Sequence, residues 1–201
     1  MFLMRRPSGA TIERFLDESR ALPLSYEPIG LAQSDRPGLD EALVAIGCGR
    51  EAFERARAAL MAWRQFELGW VELFPRNASV EVGTVVAVLI RHLGFWSLNG
   101  CRVVYGVGKR DPGSRGDRFG YAYGALTNHA EAGEELFEVF YNPESDEVMY
   151  RIRATSRPQA ALARLGQPVV RLLQARFRRD SVEAMRRATS RAGRPRATTS
   201  R

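Results

Sequence analysis

Strand-like segments joined by short loops, followed by one long amphipathic helix, make up the C-terminal part of this chain. Five runs with a β-type pattern lie at 83–91, 101–107, 119–126, 134–141 and 147–155. Consecutive strands with short connections favour an antiparallel meander, because parallel neighbours need a crossover of roughly a dozen residues or more. The first run is apolar almost throughout and rich in β-branched residues, which predicts a central, buried strand.

The helix that follows these strands has one apolar face. Pro168 suits the first turn of a helix, and the helical pattern continues to about Ala188. The apolar face consists of Val170, Leu173, Phe177 and Met185. We therefore predict an α+β fold in which a curved antiparallel β-sheet wraps around a long C-terminal helix, the helix-grip arrangement. Such a sheet often leaves an apolar cavity, because its curved surface is larger than one helix can fill.

Two further helices are predicted before the sheet. Residues 49–66 carry the stronger pattern, with a buried face of Phe53, Ala56, Leu60 and Trp63. Residues 11–21 form a shorter helix, and residues 22–29 have strand character. We expect residues 1–188 to form a single globular domain, in which residues 1–21 are an N-terminal helical extension.

Positive charge is concentrated at the C-terminus. The formal net charge is +7, but six arginines and no acid lie between Arg186 and Arg201, so the remainder is close to neutral. Residues 189–201 are rich in Ser, Thr, Gly and Pro, which predicts a disordered basic tail. Such a tail can bind nucleic acid or anionic lipid weakly, although its simplest role is to raise solubility.

The cysteines and histidines predict neither a disulfide framework nor a metal site. Cys48 and Cys101 have no metal-ligand spacing, and a reducing, cytoplasmic environment is the default for such a chain. His92 and His129 also stand in no ligand spacing, so no metal or other cofactor is expected. The longest apolar run, 85–90, is far too short to span a membrane.

The segment Gly47–Ala52 has the form G-x-G-x-x-A between an apolar run and a helix, which is the setting of a dinucleotide-binding loop. The rest of the chain does not alternate strands with helices, so the parallel sheet that such a loop requires is not predicted. Two other interpretations stay open. The segment is either a tight loop leading into a helix, or an anion site at the helix N-terminus beside Arg50.

Several segments, together about two thirds of the chain, resemble a family of bacteria and plants described only as a domain of unknown function, numbered nineteen-ninety. They are GCGREAFERARAALMAWRQF, CRVVY, RFGYAYGALTNHAEAGEELFEV, SRP and LGQPVVRLLQARFRRDSVEAM. The HAEAGEE and SRP elements make the match specific. The order of elements is also similar to that of the helix-grip superfamily of hydrophobic-ligand carriers, cyclases and hydratases. The resemblance implies the fold and supplies no activity.

The densest polar cluster contains His129, Glu131, Glu134 and Glu135, residue types that commonly transfer protons near neutral pH. Successive strand residues point to opposite faces, so only one of the two glutamates can enter the cavity. If Phe137 and Val139 face inward, that residue is Glu135, and a buried carboxylate needs a partner. The candidate partners are Arg151, Arg153 and Arg157.

Three roles for this cluster stay open: acid–base catalysis, a charge pair that fixes the turn and the strand register, or a polar contact to a ligand. The segment Ser156–Pro158, at the joint between sheet and helix, predicts a structural latch in which Arg157 bonds to Glu134 or Glu135.

Three functions are compatible with the sequence. In the first, the protein holds a small apolar or amphipathic molecule between the sheet and the C-terminal helix. The contacts would come from Tyr121, Tyr123, Glu135, Arg153, Arg157, Leu173 and Phe177. In the second, an enzyme on the same scaffold uses His129 with Glu134 or Glu135 as acid and base. In the third, an interaction protein docks on nucleic acid or an anionic membrane through its arginine-rich tail.

Overall fold

A curled antiparallel sheet of eight strands and three α-helices make up the described part of the chain. The computed structural model describes residues 1–34, 39–92, 94–108, 118–158 and 167–190. The strands are β1 (Phe2–Leu3), β2 (Asp40–Cys48), β3 (Val71–Phe74), β4 (Val85–Arg91), β5 (Trp96–Val107), β6 (Arg118–Ala125), β7 (Glu131–Asn142) and β8 (Glu147–Pro158). The α-helices are α1 (Gly9–Arg20), α2 (Arg50–Met61) and α3 (Gln167–Thr189).

The order of the strands confirms the predicted meander and the α+β class. Hydrogen-bonded neighbours follow the order β2-β8-β7-β6-β5-β4-β3, and β1 pairs separately with β5. Each pairing among these strands is antiparallel. The helix α3 lies at the inner face of the curved sheet, as the helix-grip arrangement requires, and α2 lies beside it.

Two parts of the predicted strand pattern were wrong. The turn expected between the runs 83–91 and 101–107, at residues 92–100, is shorter, because β5 already begins at Trp96, which pairs with Arg91 of β4. The segment 22–29 is not a strand, and only a single bridge joins Leu24 to Leu126.

Besides the two-residue strand β1, one strand, β2, was not predicted at all. It is an edge strand that pairs with β8 alone, and most of its residues are half-buried or exposed. Residues 42–46 of this strand are all apolar, but a run of five apolar residues does not by itself distinguish a strand from part of a helix. Its antiparallel pairing also excludes a dinucleotide-binding unit at Gly47–Ala52, since that unit needs a parallel neighbour.

The inner face of the sheet is filled by α2 and by the C-terminal half of α3. Phe53, Ala56 and Leu60 of α2 are buried in the same cluster as Val182 and Met185 of α3. These side chains pack against inward-facing residues of β6, β7 and β8, among them Tyr121, Phe137, Val139, Tyr150 and Ile152. This half of the sheet is consequently a solid core. The helix ends at Thr189, and residues 191–201 of the predicted tail lie outside the described residues.

The outer face of the sheet is covered by α1, which explains the continuous apolar run of β4. Ile12, Phe15 and Leu16 of α1 recur at helical spacing and form one buried face. They pack against Val85, Ala87 and Leu89 of β4, with Leu98 and Leu126. The alternate residues Val86 and Val88 belong to the inner core. The strand is therefore buried on both faces, and no polar alternation is possible.

The carboxylate of Glu134 fastens the segment after α1 to the outer face. Its side chain lies on β7, is only 2% exposed and accepts four hydrogen bonds. The hydroxyls of Tyr26 and Tyr105 donate at 2.8 and 2.6 Å, and the backbone N–H groups of Gly30 and Ala32 donate at 2.9 Å each. A buried carboxylate with this many donors is fully compensated for its lost hydration.

We expect Glu134→Gln to destabilise the protein by about 3 kcal/mol, because the neutral amide weakens charge-assisted hydrogen bonds and points an N–H₂ group at other donors. Equilibrium unfolding in urea measures this change. Glu144→Gln is the matched control, since that side chain is exposed in the turn between β7 and β8. A loss below about 0.5 kcal/mol in Glu134→Gln, no larger than a typical surface substitution, would contradict this role.

Candidate functional site

A cavity of about 660 Å³ lies between the sheet and the N-terminal half of α3. Its apolar walls come from β4, from the segment around Phe66 and Trp70, and from α3. The apolar side chains that line it include Phe66, Trp70, Val88, Ile90, Leu173 and Phe177. None of the described lining residues belongs to α2, because α2 ends at Met61 and covers only the other half of the sheet.

Three aromatic rings separate the cavity from the solid core. The ring centroids of Phe66 and Phe137 lie 5.5 Å apart, those of Phe66 and Phe177 5.3 Å, and those of Phe137 and Phe177 6.3 Å. Of the three, Phe66 and Phe177 line the cavity, whereas Phe137 is fully buried beneath them. This aromatic layer gives the cavity a preformed apolar floor.

Small residues on the sheet create the open space. Ala125, Gly133 and Ala154 lie on adjacent strands in the part of the sheet that lines the cavity. At Gly133 the backbone has φ +151°, and a Cβ would stand 1.9 Å from the carbonyl oxygen of Thr155. Only glycine fits this close approach of β7 to β8. The cavity is thus a consequence of missing side-chain volume above the aromatic layer.

Glu135 is the central polar group of the cavity. It faces inward from β7, opposite Tyr123 of β6 and Ala154 of β8. The Tyr123 hydroxyl donates to Glu135 Oε2 at 2.6 Å. Burial raises the pKa of Glu135 from 4.5 to about 7, opposed by the Tyr123 hydrogen bond and reinforced by the charge of Glu131. The carboxyl group therefore exchanges its proton close to neutral pH.

Glu131 lies on the same face of β7 and also lines the cavity. The amide nitrogen of Gln174 on α3 lies 3.1 and 3.2 Å from its two carboxylate oxygens and also donates to Ser156 Oγ at 2.9 Å. Burial raises the pKa of Glu131 as well. We call the part of the cavity around Glu131 and Glu135 the carboxylate end.

His129 lines the cavity as a neutral ring. Its Nδ1 accepts the backbone N–H of Glu131 at 2.9 Å, so the neutral imidazole carries its proton on Nε2. Burial lowers the pKa of His129 to about 4, which keeps the ring uncharged near neutral pH. No hydrogen bond joins this ring to Glu134 or Glu135 within the described ranges.

A second polar group, formed by His92, Ser97 and Asn99, was not singled out from the sequence. His92 Nε2 lies 2.7 Å from Ser97 Oγ, which accepts from the Asn99 amide at 3.1 Å. The side-chain oxygen Oδ1 of Asn99 accepts the backbone N–H of Ala130 at 3.2 Å, which links β5 to the turn before β7. Ser97 and Asn99, polar residues two positions apart on a buried strand, were the available signal. They were not recognised because residues 92–100 were expected to form a turn.

The cavity brings together four of the ligand-contact residues predicted from the sequence and the predicted acid–base residue His129. Tyr123, Glu135, Leu173, Phe177 and His129 all line the cavity. Tyr121 lies on the core side of the aromatic layer, where it is 1% exposed and bonded to Gln65 and the Leu60 carbonyl. It is a core residue and does not reach the cavity.

The predicted roles of Glu134, Arg153 and Arg157 are corrected by the sheet register. Glu134 points outward, as described above, and cannot act with His129 inside the cavity. Arg153 pairs with Leu136 and Arg157 with Ala132, so both also lie on the outer face, away from Glu135. The expected partner of Glu135 is therefore neither of these arginines nor Arg151, but Tyr123. The predicted latch from Arg157 is not among the described contacts. Glu135 faces inward, and Glu134, although it shares the outer face with Arg157, accepts from Tyr26, Tyr105 and the N–H groups of Gly30 and Ala32 instead.

The described ranges contain no group of three or more His, Cys, Asp and Glu side chains arranged to hold a metal ion. Within the same ranges, none of the three α-helices combines the length and apolar character that crossing a membrane requires.

Comparison with known proteins places this architecture in a family. Residues 26–184 match the family described as Domain of unknown function (DUF1990). A UPF0548 protein of Dictyostelium discoideum is 32% identical over 208 residues, covering 94% of this chain and 95% of the relative. A UPF0548 protein of Deinococcus radiodurans is 32% identical over 203 residues, covering 94% and 98%.

Among solved structures, a hypothetical protein from Helicobacter pylori aligns with a TM-score of 0.50 and 12% identity, covering 83% of this chain and 99% of that protein. At this identity the likeness shows the fold alone, and the fold is the Bet v 1-like helix grip. The family match extends over most of the chain and agrees with relatives in bacteria and in a eukaryote, so the chain belongs to the DUF1990 family of UPF0548 proteins.

Proposed function

We propose that this protein holds one small apolar or amphipathic molecule in the cavity between the sheet and α3. The observation that carries the proposal is the preformed cavity of about 660 Å³, walled by apolar and aromatic side chains. Its volume falls within the range of roughly 300–1,000 Å³ that is typical of small-molecule sites. A few convergent polar groups at the carboxylate end and at His92 would orient the ligand.

The cavity reaches the surface beside β1. Phe2 and Met4 line the cavity and are also exposed, as is Gly94 in the loop between β4 and β5. The ring of Phe2 packs against Phe95 at 5.9 Å between centroids. A ligand entering here would replace water on these apolar side chains, which contributes roughly 25 cal/mol for each Å² of apolar surface buried.

A second candidate function is proton transfer to or from a bound molecule. The observation that favours it is the pKa of about 7 of Glu135, which matches the operating range of a general acid or base. In this version Glu135 moves the proton and Tyr123 orients its carboxyl group. His129 would act only as a neutral hydrogen-bond donor through Nε2. The tail-docking hypothesis depends on residues outside the described ranges.

Filling the cavity should abolish binding of an apolar probe. We expect the neutral fluorophore N-phenylnaphthylamine to bind the wild type saturably, with energy transfer from Trp70, which lines the cavity. Ala154→Phe places a ring in the empty space and should weaken this binding at least about tenfold. Ala58→Phe, on the exposed face of α2, is the matched control and should bind like the wild type. Equal affinity in all three proteins would overturn the proposal.

The stability of the protein should report the raised pKa of Glu135. The unfolded chain loses this proton near pH 4.5 and the folded protein near pH 7, so the folded state binds more protons between these values. Wild-type stability therefore falls as pH rises through this window, and a residue that cannot ionise escapes the loss. We expect the stability of Glu135→Gln relative to wild type to rise by up to about 3 kcal/mol between pH 5 and pH 8.

Urea unfolding at several pH values measures this difference, with Glu144→Gln as the control whose difference from wild type stays constant. A pH-independent difference for Glu135→Gln would show that the carboxyl group ionises normally in the folded protein.

A further inference from the structure

We propose that the ligand is an amphiphilic amine, whose apolar body lies on the aromatic layer and whose single ammonium group lies at the carboxylate end, between Glu131 and Glu135. This inference rests on the proposed function, because it names the chemical class that the same cavity would take.

The charges that line the cavity favour a cation. Glu131 and Glu135 contribute two carboxylates, and Arg178 of α3 is the lining arginine among the described residues. The guanidinium of Arg178 is already paired with Asp40 on β2, at 3.4 Å between Nη1 and Oδ2. This ion pair is neutral as a whole. Its guanidinium lowers the pKa of Glu135 and its carboxylate raises it, so the pair compensates the two glutamates only in part. The carboxylate end consequently has an excess of negative charge when both groups are ionised.

The other ionisable groups near the cavity do not supply that missing positive charge. His92 and His129 are held neutral, because burial lowers the pKa of each ring. The N-terminal ammonium of Met1 donates to the Leu98 carbonyl at 2.8 Å, on the side of β5. Its charge contributes to the lowered pKa of His129 but is not among the groups that shift the pKa of Glu131 or Glu135.

The carboxylates of Glu131 and Glu135 also have fewer hydrogen-bond donors than their oxygens can accept. Glu135 Oε2 accepts from Tyr123, whereas Oε1 has no donor within the described part of the chain. Both oxygens of Glu131 share one nitrogen, that of the neutral amide of Gln174. An ammonium group offers three N–H donors and a positive charge, so it complements both deficits together. A carboxylate ligand would instead be repelled, and an alcohol would offer one donor without charge.

The apolar side of the same ligand is accommodated next to this charge. Phe177 and Leu173 lie within one helical turn of Gln174 and Arg178 on α3, and all four line the cavity. The apolar body would therefore contact the rings of Phe66 and Phe177 while the ammonium group contacts β7. This separation of an apolar surface from a charged end is what distinguishes an amphiphilic amine from a polyamine or an inorganic cation.

The proposed pairing makes binding depend on pH. The charged or titratable groups that interact with Glu135 come from six elements: Tyr121 and Tyr123 on β6, Cys101 on β5, Glu131 on β7, Tyr150 on β8, Asp40 on β2 and Arg178 on α3. Below about pH 7 the carboxyl group holds a proton, which an ammonium ligand must displace. Amine affinity should rise by several fold between pH 6 and pH 8, a range in which an alkylamine stays protonated because its pKa is about 10. Alcohol affinity should not change.

The test is displacement of N-phenylnaphthylamine from the full chain at pH 8 by three compounds with the same alkyl chain: decylamine, decanol and decanoate. We expect decylamine to displace the probe at a concentration about tenfold lower than decanol, with decanoate weakest. In the double variant Glu131→Gln/Glu135→Gln, decylamine and decanol should become equal within about twofold, while the probe still binds. Retained probe binding shows that this variant is folded.

The outcomes separate this inference from the function on which it rests. If decanol and decanoate displace the probe as well as decylamine does, or if the amine preference persists in the double variant, the amine assignment is wrong and the cavity remains an apolar ligand site. If neither the probe nor any of the three compounds binds the wild type, the proposed function fails and this inference fails with it.

Discussion

Two successive glutamates on β7 point to opposite faces of the sheet, and each organises the layer that it faces. Outside, Glu134 gathers two tyrosine hydroxyls and two backbone N–H groups and so attaches the segment after α1 to the sheet. Inside, Glu135 has one tyrosine donor and stands in a cavity. Because successive side chains of a strand point to opposite faces, Glu134 has a complete set of hydrogen-bond donors and Glu135 has an incomplete one.

The cavity depends on how unevenly the inner face is covered. The helix α2 is only 12 residues long and covers one half of the sheet, together with the C-terminal half of α3. Above Phe66, Phe137 and Phe177 only the N-terminal half of α3 faces the sheet, and the strands carry alanine and glycine there. The fold is therefore stabilised by apolar surface buried in two places, the packed half of the inner face and the outer layer around β4. The other half of the inner face contains the cavity.

This division also accounts for the electrostatic character of the open half. A carboxyl group in an apolar cavity loses hydration, which raises its pKa unless a cation or several donors compensate. The guanidinium of Arg178, which lines the cavity, is paired with Asp40, so compensation at Glu131 and Glu135 is partial. The chemical class proposed for the ligand follows from this imbalance.

The element pattern of the sequence was sufficient for the fold class, the meander, and the presence of a helix after Pro168 and of one within 49–66, which ends at Met61. Each of these follows from the local period of apolar residues, which secondary structure imposes directly. The edge strand β2 escaped detection because its short apolar run, residues 42–46, does not by itself distinguish a strand from part of a helix. The partner of Glu135, the outward position of Arg153 and Arg157, and the burial of Tyr121 beneath the aromatic layer were decided only by tertiary structure. Strand register and the reach of α2 determine which side chains meet, and both arise from contacts between residues far apart in the chain.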